Sequence, residues 1–122
     1  MTAVYLDYNA TAPVRPQAGD AVVHALAVGG NPSSVHAGGR AARALVEQAR
    51  SEVAALSAAP ASTVIFTSGG TEANALAIES AVAAGTRRLI VSAVEHDSVL
   101  ETARASGVAV ETLPVDRHGV AD

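Results

Sequence analysis

This 122-residue chain contains no cysteine and no lysine. Without cysteine there is neither a disulfide framework nor a thiol nucleophile. Without lysine no side-chain amine can form a Schiff base. All eight basic residues are arginines, at positions 15, 40, 43, 50, 87, 88, 104 and 117. Aromatic residues make up 2%, which leaves little for base stacking. Formal net charge is −4, and the pair Arg87-Arg88 reads as a solvated strand entrance, so nucleic acid is not an expected partner. No stretch is long and apolar enough to cross a membrane. Met1 to Asp7 lacks the charged and apolar regions of a secretory signal, so the expected location is the cytoplasm.

What is present reads as one small domain. Hydrophobic residues reach 49%, much of it alanine, which favours closely packed helices. Val4-Tyr5-Leu6 is extended, and Asp7 to Pro16 is irregular. A helix is predicted over Gln17–Val28 and ends at Gly29-Gly30-Asn31-Pro32. A longer one runs from Val35 or Ala37 to Ser57, with Ala42, Val46, Ala49, Val53 and Leu56 on one face. Beyond Pro60 the pattern alternates. Strands are predicted at Thr63–Thr67, Arg88–Ser92 and Val108–Leu113, with helices at Thr71–Ala84 and Ser98–Ser106. This β-α-β-α-β order is the signature of an α/β parallel sheet, with strands buried on both faces.

Two loops follow the carboxyl ends of these strands, where open parallel sheets bind ligands. The first is Ser68-Gly69-Gly70-Thr71, at a helix N-terminus. Its free backbone N–H groups and the helix dipole suit a phosphate, and the two glycines allow close approach. A glycine turn capped by Thr71 for structural reasons accounts for the same residues. The second loop carries Glu95-His96-Asp97. His96 there has the chemistry of a general base, a metal ligand, a ring that stacks on a planar ligand, or a surface or helix-capping residue. The run is too short to make a metal site, and none is expected.

These residues resemble the N-terminal part of cysteine desulfurases of the nitrogen-fixation and iron–sulfur-cluster type. That family consists of PLP-dependent enzymes of the class V aminotransferase group, with fold type I. The matching stretches are Tyr5–Thr11, Gly30–His36, Gly39-Arg40, Phe66–Asn74, Val94–Leu100 and Leu113–Asp116. The resemblance implies a homodimeric transferase that removes sulfur from L-cysteine. Alanine is left, and an enzyme cysteine carries the sulfur to an acceptor or scaffold protein for cluster assembly. It implies that Gly70 and Thr71 hold the pyridoxal 5'-phosphate phosphate group. His96 would stack on the pyridine ring and assist proton transfers, and Ala10 and Thr11 would line the substrate pocket.

The resemblance also implies a division at residue 30. Residues 1–30 would form an N-terminal segment at the small-domain, active-site edge, and residues 31–122 the start of the large PLP-binding domain. Ala12 stands where the family often has a second Thr, and Ala75 where it often has Asn. The family's Schiff-base lysine and nucleophilic cysteine lie beyond the matched region, so the chain reads as an N-terminal fragment, inactive alone. A selenocysteine lyase, an aminotransferase of the same group, and a non-catalytic phosphate-binding remnant are the alternatives.

Overall fold

A computed structural model describes residues 4–121; Met1–Ala3 of the expected N-terminal segment and Asp122 lie outside them. The chain divides between Ile65 and Phe66 into two compact units.

The first unit holds two helices. Helix α1 spans Pro16–Val28, with proline in its first turn, where its missing N–H costs nothing. Gly29 stops it at φ 58°. Helix α2 spans Ala37–Leu56, and His36 caps it by accepting the Gly39 N–H at 3.3 Å. Its far end closes in a Schellman motif. Ala59 N–H donates to the Ala54 carbonyl at 3.0 Å, and Ala58 N–H to Ala55 at 3.4 Å. Ala58 holds the left-handed position at φ 50°, the one described non-glycine residue with positive φ.

The face predicted for α2 is only partly covered. Ala42 is buried and Val46 half-buried, whereas Ala49, Val53 and Leu56 are exposed. The residues that do pack are the small ones, Gly39, Ala42 and Ala54.

The stretch Thr63–Thr67 is not a strand. Ala61–Thr63 forms a 3-10 turn, and Val64 is extended at φ −84°, ψ 124°. β-branched residues favour extended backbone, but a strand also needs a ladder partner. None pairs with this segment among the described residues. The Val64 carbonyl is taken instead by the Arg50 guanidinium at 2.5 Å.

The second unit is a β-α-β crossover preceded by a helix. Helix α3 spans Gly70–Ala83, strand β1 Arg88–Ser92, helix α4 Asp97–Ala105 and strand β2 Ala109–Leu113. β1 and β2 pair in parallel, with Arg88 opposite Ala109 and Ser92 opposite Leu113. The sheet therefore has two paired strands among the described residues, in place of the three predicted. Helix α4 packs on both α3 and β1. Val91 is buried while its neighbour Ile90 is 63% exposed, so β1 is covered on one face rather than two. The small core of this unit is Val91, Ala103 and the hydroxyl-bearing Ser98.

Candidate functional site

Helix α3 begins without a cap. Its N-cap residue is Gly69, and no side chain accepts from its first turn. The first intrahelical bond runs from Ala73 N–H to the Gly69 carbonyl at 3.1 Å. Among the described residues no hydrogen bond takes up the N–H groups of Gly69, Gly70, Thr71 or Glu72. These are the four donors that every α-helix leaves unpaired at its start, with the positive end of the dipole behind them. A Cβ built at Gly69 or Gly70 meets no atom within 4 Å, so the space before the donors is open. Gly69 has φ 172° and ψ 178°, extended backbone that any residue adopts. The two glycines thus answer no conformational demand of the chain. They leave room for a group that accepts several hydrogen bonds at close range, as a phosphate does.

The Glu72 side chain turns back toward Ser68. One carboxylate oxygen of Glu72 accepts the Ser68 N–H at 2.6 Å and the Ser68 hydroxyl at 2.5 Å. The two bonds, the hydroxyl's first, hold the Glu72 carboxyl below the usual carboxylate range. Thr71 is not the cap considered from the sequence; it lies inside the first turn.

His96 lies just past the carboxyl end of β1, as its position in the sequence implied. It is the N-cap of α4, so the capping role is real. Its Nδ1 accepts the Ser98 N–H at 3.1 Å and lies 2.9 Å from the Ser98 hydroxyl. The ring is exposed, and its Nε2 has no hydrogen bond among the described residues. Capping occupies one ring atom and leaves Nε2 available.

A hydrogen-bond relay ties His96 to α3. The Asn74 side-chain amide, in the helix that starts at Gly70, donates to the Ser98 hydroxyl at 2.9 Å, and that hydroxyl meets His96. The histidine is therefore hydrogen-bonded through Ser98 to Asn74, one turn into the helix that begins at the glycines. Neither Asn74 nor Ser98 was singled out from sequence. The only signal was a polar residue one turn into α3 and a hydroxyl two residues past a candidate histidine. Ala10 and Thr11 belong to the first unit, where both N–H groups reach the Asp7 carbonyl, at 3.2 and 3.4 Å, in an exposed turn.

Known proteins are similar to this chain along its length. The family model described as aminotransferase class-V matches residues 4–122. A "Cysteine desulfurase IscS" of Dictyoglomus turgidum is 42% identical over 98% of this chain and 32% of its own length. A "Cysteine desulfurase" of Cereibacter sphaeroides is 45% identical over 100% of this chain and 34% of its own. A solved "NifS-like protein" superposes with a TM-score of 0.84 at 32% identity, over 99% of this chain and 35% of that one. The chain thus spans about a third of the length of these relatives. The fold is that of the fold type I PLP enzymes to which this last structure is similar. With a match across residues 4–122, this chain belongs to the class V aminotransferase family.

Proposed function

We propose that this chain carries the phosphate cradle and the ring-facing histidine of a PLP-dependent cysteine desulfurase. The observation that carries this reading is the uncapped start of α3. Four N–H groups are unclaimed there, the space at both glycines is open, and Asn74 of the same helix reaches His96 through Ser98. The cysteine desulfurase names of the relatives support the choice of reaction.

When bound, PLP supplies an electron-withdrawing ring that eases bond breaking next to the substrate nitrogen. The chain's own residues hold and orient. Gly69 to Glu72 offer backbone donors, and the Thr71 hydroxyl adds one more at the same helix end. His96 presents a flat ring with Nε2 outward. Ala10 and Thr11 line the pocket for L-cysteine. Residues 31–122 open the large cofactor-binding domain, with residues 1–30 at the active-site edge. The amine and the thiolate that the reaction needs come from outside this sequence, which has neither Lys nor Cys. In the complete enzyme, a cytoplasmic homodimer, the sulfur passes to an acceptor or scaffold protein for iron–sulfur cluster assembly.

The test is an amide-resolved NMR titration of the chain with PLP. The Gly69, Gly70, Thr71 and Glu72 amides should move first and furthest. Saturable shifts that spare these four, or no shifts at all, would overturn the reading.

A further inference from the structure

We propose that Ser98, held by Asn74, is a positioning residue for His96. It fixes the imidazole in its Nε2-protonated form and turns that N–H away from α4. The tautomer follows from the donors around it. A backbone N–H only donates, so the Nδ1 that accepts from Ser98 N at 3.1 Å carries no proton. The Asn74 amide nitrogen likewise only donates, and it fills one lone pair of the Ser98 oxygen at 2.9 Å. The hydroxyl proton is then directed at the remaining partner, Nδ1, at 2.9 Å. The relay runs one way, from Asn74 through Ser98 to His96, and leaves the ring proton on Nε2.

Burial makes the relay stiff. Ser98 is 8% exposed and Asn74 half-buried, so water competes poorly for either group. The second capping histidine provides a contrast. His36 caps α2 through one backbone N–H, that of Gly39 at 3.3 Å, and among the described residues no side-chain hydroxyl bonds to its ring. Capping alone therefore does not need the Ser98 hydroxyl or Asn74. Their added effect is on ring orientation and proton placement, the two properties a ring facing a planar cofactor must have defined. The functional meaning rests on the reading of His96 as that ring; the tautomer does not.

The experiment is nitrogen-15 NMR of the histidine rings in the full chain, at a pH where they are neutral. His96→Gln identifies the His96 signals. The parent should show His96 with Nε2 protonated and Nδ1 bare. Ser98→Ala should raise the Nδ1-protonated fraction about five-fold, as loss of one ordinary hydrogen bond would. Asn74→Ala should move it the same way by less. Ser98→Thr, which keeps the hydroxyl, should restore the parent signature, and His36 should not respond to any of the three. A parent ring protonated at Nδ1, or His96 signals unchanged in Ser98→Ala, overturns the proposal. A PLP titration of the same samples separates the two claims. If the tautomer responds as described while PLP moves neither His96 nor the Gly69–Glu72 amides, the cofactor reading fails and the positioning role stands.

Discussion

Glu72 reaches back to Ser68 and takes both its N–H and its hydroxyl on one carboxylate oxygen. This contact binds the acid to the residue before the glycines and leaves the donors of the helix start unclaimed. It also gives the turn a pH dependence. The folded carboxyl lies below its usual range, so its contribution to stability is present above the ordinary carboxylate pKa. That contribution is lost as pH falls through the lowered folded value. A carbon-detected titration of Glu72 should give a midpoint under that of an unstructured glutamate. Ser68→Ala should raise the midpoint, because the larger of the two lowering effects disappears. A midpoint at the ordinary value in the parent would show that the contact does not persist in solution.

Gly70 allows stability and binding to be separated. Its Cβ position is empty, and alanine is favoured over glycine inside a helix by up to about 1 kcal/mol. Gly70→Ala should leave the melting temperature unchanged or raise it, yet weaken PLP, because the new methyl enters the space the phosphate needs. Gly70→Val should weaken it further. Thr71→Ala should cost roughly 1.5–3 kcal/mol of binding, about ten-fold or more in affinity, by removing one hydrogen bond to a charged group. Isothermal titration beside thermal melts reads both quantities; equal affinity in all three variants contradicts the cradle.

Two substitutions divide the roles of His96. Asparagine is a strong N-cap residue, so His96→Asn should keep α4 stable and lose the ring contact with PLP. His96→Phe should do the reverse. It keeps a flat ring and much of the cofactor affinity, and it loses the cap, which costs about 1 kcal/mol of stability. Melting curves and PLP affinity should therefore rank the two variants in opposite orders. The same rank in both measurements would mean that the ring serves the helix alone.

Ala58 and Gly85 end two helices in the same way. Each takes a left-handed conformation, at φ 50° and 106°, and in each case the next residue donates to a carbonyl five positions back, at 3.0 Å. Glycine has no Cβ to strain there, whereas an L-residue is disfavoured by roughly 1–2 kcal/mol. Ala58→Gly should therefore stabilise the chain by about 1 kcal/mol, and Gly85→Ala should destabilise it by a similar amount. Chemical denaturation of both variants against the parent checks the pair of signs.

Local chemistry made most of the elements legible. Pro16 starts α1, and Gly29, Gly85 and Gly107 end helices, so the predicted boundaries lie within one or two residues of those observed. The uncapped start of α3 was legible for the same reason: glycines between an extended stretch and a helix leave donors free whatever surrounds them. The position of His96 past a strand was also a property of order along the chain.

What the sequence by itself determined, then, was whatever depends on neighbours within a few residues. That includes the helices, the paired strands at Arg88–Ser92 and Ala109–Leu113, the open turn and the absence of any Lys or Cys. Only the tertiary structure decided what depends on distant partners. Thr63–Thr67 has strand-forming residues, yet it pairs with nothing described, and Arg50 takes the Val64 carbonyl across a separation of 14 residues. The apolar stripe of α2 was periodic, but periodicity does not say which positions find a cover, and Leu56 is 89% exposed. The Asn74–Ser98 bond joins residues 24 apart, and only this long-range contact brings Asn74 to the hydroxyl that meets His96. A hydrogen bond needs two groups at one place in space, and no local pattern specifies that.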